Sequence, residues 1–104
     1  MTRSQEIAST ILAQLGGGRF CAMTGAKNFL ALKSGVQFDI GRGAKNKATK
    51  VRIELTPADL YDVRFYRWNA RQLEAVEVEG GAEGVYVEDL RRLFTEATGF
   101  DTHL

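Results

Sequence analysis

The chain has very few of the side chains on which metal sites and nucleophilic catalytic sites depend. Its 104 residues include one cysteine, Cys21, and one histidine, His103. A single cysteine forms neither an internal disulfide nor a thiolate metal site, so we expect Cys21 to be a small core residue. A catalytic relay through imidazole needs a fixed ring, whereas His103 is next to last in the chain, where fraying is common. These shortages predict no metal site and no Ser or Cys relay.

Long apolar runs are also missing. No run approaches the roughly 20 residues that cross a bilayer, and MTRSQEIAST lacks the charged-then-apolar layout of a signal peptide. The 44% hydrophobic and 26% charged content is that of an ordinary globular protein. We therefore expect a cytoplasmic protein with no membrane partner, and the length fits one domain over residues 1–104.

The glycines and the acids do not form a recognisable enzyme site. LGGGRF places three glycines after a predicted helix, whereas phosphate-binding loops place glycine before one, so we interpret the run as a helix stop. The 13 Asp and Glu residues show no spacing that singles out a catalytic pair. The sequence therefore predicts a non-enzymatic protein without a cofactor.

Charge is divided unevenly between the two halves of the chain. Residues 1–54 carry 9 Lys or Arg against 3 Asp or Glu, whereas residues 55–104 carry 5 against 10. Such a division is typical of a basic surface for nucleic acid, or of complementary faces that meet within the fold or across a dimer. It also arises when both halves are solvated and their strands share one sheet.

Two segments have helical periodicity. SQEIASTILAQLGGG has an apolar residue every three or four positions, Thr2 and Gln5 are spaced as a capping box, and the glycines from Gly16 end the helix. GVYVEDLRRLFTEATG has a similar apolar stripe and ends at Gly99. We expect one helix near each end of the chain.

The segments between these helices have the composition of short β-strands. They are RFCAM, NFLALK, VQFDI, KVRIEL, YDVRFYRW and LEAVEVE, bounded by glycine-rich or turn-forming stretches. LEAVEVE has no register that buries all its apolar residues, which indicates an edge strand or a bulge. TPAD resembles a capped helix start, but the β-rich YDVRFYRW after it allows at most one helical turn.

The order of these elements predicts an α+β fold. Tight connections favour an antiparallel meander of five to six short strands, and two amphipathic helices need an apolar sheet face to cover. We expect the N-terminal and C-terminal helices to pack on one face of the sheet as a two-layer sandwich.

The tetrapeptide GAKN occurs twice, at residues 25–28 and 43–46. The flanking residues differ, so we interpret the two copies as separate turns in which Gly supplies a positive φ and Asn tolerates one. The first lies between two predicted apolar strands and is expected to be structural. The second lies in the most basic loop, where Lys45 and Lys47 could contact an anion or stay solvated.

Three longer stretches, LGGGRFCAMTGAKNF, LTPADLYDVRFYR and GVYVEDLRRLFTEATG, resemble a family of small uncharacterised proteins encoded by bacteriophages, prophages and other mobile elements. The likeness runs over almost the whole chain. The resemblance implies a phage-related origin, but it implies no activity, so no residue takes a role from it. The loop GRGAKNKATK is richer in lysine than the resemblance leads us to expect.

The predicted solvent face of the sheet gives the strongest functional indication. If KVRIEL and YDVRFYRW pair, basic and aromatic side chains share one face, as single-stranded nucleic acid requires for neutralising phosphates and stacking bases. The lysines of the second GAKN loop extend this surface. The candidate residues are Lys45, Lys47, Lys50, Arg52, Arg64, Tyr66 and Trp68.

The same residues also have a structural interpretation. Tyr66 and Trp68 could cover the edge of the core or a dimer seam, while Arg64 and Arg67 pair with acids such as Glu74 and Glu77. Two functional hypotheses therefore stay open. One is an accessory protein of a mobile element that binds single-stranded nucleic acid, and the other is a protein-interaction module, for example a homodimer formed through an exposed strand edge.

Overall fold

Three helices and five strands follow one another along residues 2–100, the part of the chain that the structure, a computed structural model, describes. They are α1 (Arg3–Leu15), α2 (Gly17–Thr24), β1 (Lys27–Leu32), β2 (Gly35–Asp39), β3 (Lys50–Leu55), β4 (Tyr61–Asn69), β5 (Glu74–Val85) and α3 (Val87–Thr98). The expectation for His103 lies outside the described residues.

The first and last helices form where the sequence predicts them. Thr2 caps α1 by accepting a hydrogen bond from the Gln5 backbone N–H at 3.2 Å, and the Gln5 side chain accepts from the Thr2 N–H at 3.1 Å, which completes the capping box. Gly16 ends α1 with φ 128°, and Gly99 ends α3 in the left-handed region with φ 80°. The termini therefore follow from local capping chemistry.

The segment RFCAM was predicted to be a strand, and that prediction is wrong. It belongs to α2, which begins directly after Gly16 and ends at Gly25. Phe20 and Thr24, four residues apart, are buried on one side of this helix, and the Phe20 ring meets those of Phe38 and Phe94 edge-on. Packing of this buried side outweighs the β-favouring composition. The first GAKN therefore follows a helix and not a strand.

The strands form one antiparallel meander in the order β1-β2-β3-β4-β5. The predicted hairpin of β3 and β4 is present, with Lys50 opposite Tyr66 and Arg52 opposite Arg64. Residues 56–60 join these strands in a turn that contains no helix, closed by the Thr56 N–H to the Leu60 carbonyl at 2.8 Å.

β5 is an edge strand and is irregular, as LEAVEVE indicated. Its register against β4 shifts between Tyr61 and Phe65, and the strand runs through the glycine pair that was predicted to bound it. A Cβ on Gly81 would lie 2.5 Å from the Val63 carbonyl oxygen, so glycine permits the close approach of β4. Gly80 and Gly81 therefore lie within a strand and do not form a turn.

The core lies between one face of the sheet and the helices. Its buried side chains come from every helix and from β2 to β5. The largest are Phe20, Phe38, Phe65, Phe94, Ile11, Leu15, Ile53 and Leu90. The fold is thus the predicted α+β sandwich of a five-stranded antiparallel sheet and a helical layer, with α2 as an addition. Cys21 packs against the core but is only partly buried.

No helix among residues 2–100 has the length and apolar character needed to cross a membrane.

Candidate nucleic-acid interface

The outer face of the sheet, which is turned away from the helices, carries the strand residues predicted for the site. Val63 and Phe65 of β4 are buried in the core, so Arg64, Tyr66 and Trp68 alternate with them on the opposite face. In the register of the hairpin, Lys50 and Arg52 of β3 lie opposite Tyr66 and Arg64. The side chains expected to share one face therefore do so.

Arg64 already has acidic partners on this face. Its guanidinium lies 3.2 Å from a carboxylate oxygen of Glu83 and 3.8 Å from one of Glu77. The hydrogen bond to Glu83 and the charges of both acids raise the pKa of Arg64 above its usual value. For Arg64 the structural interpretation, pairing with an acid such as Glu77, is the arrangement present.

Arg52 is also engaged within the sheet. Its Nε and Nη2 both donate to the Gln37 side-chain oxygen, at 3.1 and 2.8 Å, and its guanidinium lies 5.6 Å from the centre of the Tyr66 ring. A guanidinium held over an aromatic face gains a cation–π attraction. Arg52 and Tyr66 therefore stabilise each other across β3 and β4.

Lys50 lies at the end of this face beside a carboxylate. Its ammonium is 3.0 Å from Asp39, which also accepts a hydrogen bond from the Asn28 amide at 2.8 Å. Burial would raise the pKa of Asp39, but the hydrogen bonds from Asn28 and Lys50 and the charges of Lys50 and Lys27 outweigh burial, so this pKa lies below its usual value. Asp39 is thus a fixed negative charge among cations.

Trp68 is displayed rather than buried. It is 51% exposed, and its backbone N–H donates to the Thr49 hydroxyl at 3.0 Å. Thr49 in turn donates its own N–H to the Tyr66 carbonyl at 2.8 Å. The indole is therefore held by an ordered backbone while half of its surface faces solvent.

The connection between β2 and β3, residues 40–49, is anchored at several points. Ala44 and Ala48 are buried in the core, and the Lys45 N–H donates to the Thr98 carbonyl at 2.7 Å. Asn46 joins the loop to β5, because its amide donates to the Glu79 carbonyl at 2.7 Å and its oxygen accepts from the Ala48 N–H at 3.1 Å. The exposed Lys45 and Lys47 alternate with these inward residues.

The two GAKN copies have different backbones. In the first, Gly25 and Asn28 both take a positive φ, at 71° and 57°, as the turn interpretation expected. In the second, Gly43 has φ 98° but the other positive value, 65°, falls on Lys47 and not on Asn46. A positive φ is unfavourable for a side chain such as lysine, so the anchors of the loop hold Lys47 in this conformation.

Three clefts open beside this loop, and the two larger ones are each lined by several cations. The first, about 620 Å³, has Lys27, Arg42, Lys50 and Trp68 in its wall together with Asp39. Its volume falls within the range of about 300–1,000 Å³ that small-molecule sites occupy.

The second cleft, about 460 Å³, opens beside residues 45–47 of the loop. Lys45, Lys47 and Arg67 contribute cations to its wall, and Glu79 contributes a carboxylate. Cations therefore line both of these clefts.

These observations define a basic end of the molecule. It consists of Lys27, Arg42, Lys45, Lys47, Lys50, Arg67 and Trp68. In contrast to Arg64, neither Arg42, Lys45, Lys47 nor Arg67 forms an ion pair with any residue between 2 and 100.

Sequence reasoning missed Lys27 and Arg42. Lys27 reaches this end because β1 is bulged between Lys27 and Leu30 and pairs Lys27 with Asp39. The one available signal was the density of Lys and Arg around VQFDI, which does not reveal a bulge. Arg67 was expected to pair with an acid, whereas no described carboxylate pairs with it.

The part of the chain that the structure describes contains no cluster of metal-binding side chains. Between residues 2 and 100, no three side chains of the His, Cys, Asp and Glu types come together in a way that could hold an ion.

Comparison with known proteins found no match among family models, curated proteins or solved structures.

Proposed function

We propose that this chain is a non-enzymatic accessory protein that binds single-stranded nucleic acid at its basic end. One observation carries the proposal. The anchored loop holds Lys45 and Lys47 outward, free of described acidic partners, at the same end of the sheet as the half-exposed Trp68.

Ordered cations favour binding of a phosphate backbone. A flexible lysine loses conformational freedom of its backbone and side chain when it binds, whereas the backbone of this loop is already fixed by Ala44, Asn46 and Ala48. Neutralising phosphates releases counterions, so the affinity should fall steeply as salt rises.

The exposed indole favours an unpaired strand over a duplex. A base can stack on Trp68 only after it has left its own stack, which a single strand permits at little cost. Lys27, Arg42 and Lys50 line the same cleft as Trp68, so they would be available to the phosphates that flank such a base. Arg52 and Arg64 have partners within the sheet, so the proposal does not depend on them, and a role for them in binding stays a prediction.

Fluorescence anisotropy with labelled single-stranded DNA, single-stranded RNA and duplex DNA, each at two salt concentrations, tests the proposal. We expect micromolar binding of the single strands that weakens as salt rises. The double variant Lys45→Ala with Lys47→Ala should lower the slope of log K against log salt by about 1.4, because each single-strand phosphate contact contributes ~0.7.

A charge-matched control is available at the other end of the sheet. Arg3 and Lys33 are exposed, and neither forms an ion pair within residues 2–100. The double variant Arg3→Ala with Lys33→Ala removes the same charge and should leave the slope unchanged. Absence of binding to every probe at low salt, or equal effects of the two double variants, would reject the basic end as the site.

The biological setting that we propose is the cytoplasm of a cell that carries a bacteriophage, prophage or other mobile element. The support is the resemblance of LGGGRFCAMTGAKNF and the two later stretches to proteins of such elements. Single strands arise whenever these elements replicate or move, so a protein of this kind would meet the proposed ligand.

A second candidate function is homodimer formation through β1. This edge strand exposes Phe29 and Leu30, at 41% and 55%, with no charge between them, whereas the opposite edge carries several glutamates. Lys27 and Lys33 flank the apolar stretch and would repel their copies in an antiparallel pair, so this candidate ranks second. Sedimentation equilibrium tests it, since a monomer at all concentrations excludes the dimer.

A further inference from the structure

The tip of the β4–β5 hairpin projects from the basic end. The last paired residues are Asn69 and Glu74, one position beyond Trp68 and Ala75, so residues 70–73 form the tip. The Asn69 side-chain oxygen accepts hydrogen bonds from the backbone N–H groups of Arg71 and Gln72, at 3.0 and 3.2 Å. The turn is therefore ordered by its own sequence.

Leu73 is an unexpected residue for the last position of this turn. Its φ is 54°, in the left-handed region where turns of this kind favour Gly or Asn, and a leucine there is strained. Its side chain is also 75% exposed, more than any other large apolar side chain between residues 2 and 100. Glycine would remove both the strain and the exposed apolar surface, so the fold alone does not account for leucine at this position.

The surroundings of Leu73 suit nucleic acid. Arg71 of the tip is exposed, Arg67 lies near the base of the same hairpin, and the Trp68 indole lies on the outer face a few residues away. Glu74 is the acid next to Leu73, and it too is exposed. Proteins that insert leucine or another apolar side chain between base steps also contact the nucleic acid through arginine and lysine.

We propose that the hairpin tip is an apolar wedge that packs on the terminal base pair of a duplex where a single strand begins, so that the preferred ligand is a duplex with a single-stranded tail. This inference rests on the proposed function, because the tail would occupy the basic end while Leu73 covers the last pair. Insertion into the middle of a duplex requires unstacking of a base step, whereas a terminal pair already exposes one face. A single short tip with one apolar side chain is suited to the terminal pair.

The test compares three labelled DNA probes by fluorescence anisotropy: a single strand, a blunt duplex, and that duplex carrying the same strand as a tail. We expect the wild type to bind the tailed duplex at least about fivefold more tightly than the strand alone, because the terminal pair would bury part of the Leu73 side chain, whose complete burial corresponds to about tenfold or more. Leu73→Gly should reduce this ratio to about one while leaving the affinity for the strand unchanged.

Two further measurements keep the result interpretable. Thermal unfolding of Leu73→Gly should show a midpoint equal to or above that of the wild type, because glycine adopts the positive φ without strain. Tyr86→Ser removes another exposed side chain, 58% exposed, at the far end of the sheet and should leave the ratio unchanged. A 2-aminopurine in the terminal pair should report the contact by a change in fluorescence that Leu73→Gly abolishes.

The outcomes separate this inference from the proposed function. Binding of the strand without preference for the tailed duplex, or a preference that Leu73→Gly retains, overturns the wedge and leaves the proposed function standing. Absence of binding to the strand overturns both.

Discussion

The centre of the outer sheet face and the basic end both carry cations, but they differ in what those cations contact. At the centre, Arg52 is held by Gln37 and Tyr66, and Arg64 by two glutamates. At the basic end, Lys45 and Lys47 stand on a loop whose inward residues are fixed while their own side chains have no described acidic partner. The difference indicates that the first group stabilises the sheet and the second is available to a ligand.

The geometry of each region explains this difference. A residue on a paired strand has a neighbour directly opposite, with the two Cβ atoms about 4.5–5.5 Å apart. A lysine or arginine side chain easily reaches a partner at that distance. Residues in a loop have no such register, and Lys45 and Lys47 are exposed on a segment that pairs with no strand. Cations in strands are therefore the more readily neutralised within the fold.

Among the substitutions that test the difference between the two regions, Trp68→Ala is expected to have the largest effect. Loss of the half-exposed indole should weaken single-strand binding about 5- to 150-fold, equivalent to the ~1–3 kcal/mol that stacking of one base contributes. The free energy of unfolding, measured by urea denaturation, should change by less than about 1 kcal/mol, because the side chain is not part of the core.

Tyr66→Ala is the matched variant from the centre of the sheet. It removes the ring that Arg52 covers and should lower the free energy of unfolding by about 1–2 kcal/mol, with little change in affinity. If Tyr66→Ala weakened binding as much as Trp68→Ala, the two regions would not be functionally distinct.

An intermediate effect, a gain in affinity, is expected for Asp39→Asn. Removal of this carboxylate frees Lys50 and should tighten binding about two- to fivefold at low salt, consistent with the ~1 kcal/mol or less that solvent-exposed charges at contact distance exert. Anisotropy measures the gain. An unchanged affinity would mean that the nucleic acid does not reach the first cleft.

The same variant has a defined pH dependence. The pKa of Asp39 is lowered by folding, so its charged form stabilises the fold at pH values above the unfolded value of 3.8, and this stabilisation is lost as the pH falls through the lower folded pKa. Asp39→Asn should therefore be less stable than the wild type at neutral pH. The difference, followed by thermal unfolding, should shrink in acid below that value.

The smallest effect is expected for Arg64→Ala. Its partners Glu77 and Glu83 are exposed, so both acids become solvated when the arginine is removed and the thermal midpoint should hardly move. Single-strand affinity and its salt dependence should also stay close to those of the wild type. A loss of affinity comparable to that of the Lys45 and Lys47 double variant would extend the binding surface to the sheet centre.

Much of the fold could be predicted from the sequence because its signals are local. The capping box at Thr2, the glycine stop at Gly99 and the alternation in KVRIEL act over a few residues. The helix α2 could not be predicted, because its formation depends on the packing of Phe20 against rings from a strand and from α3. The extent of β5 was missed since glycine, usually a breaker, is needed there for close contact with Val63.

The candidate site was only partly predictable. Alternation placed Lys50 and Trp68 on one face correctly, and it depends on strand geometry alone. The partners of Arg52 and Arg64, and the arrival of Lys27 beside Asp39, depend on the register of several strands and on a bulge. Single-sequence patterns do not specify such long-range pairings.

In the loop between β2 and β3, residues that stabilise the fold alternate with residues that are available to a ligand. Ala44, Asn46 and Ala48 satisfy the fold, and Lys45 and Lys47 have no part in the core. Substitutions at these two lysines can therefore change the charge presented to a ligand, and glutamate at both positions would reverse it, while the fold stays intact. The loop is a natural place to graft a new binding preference onto this domain.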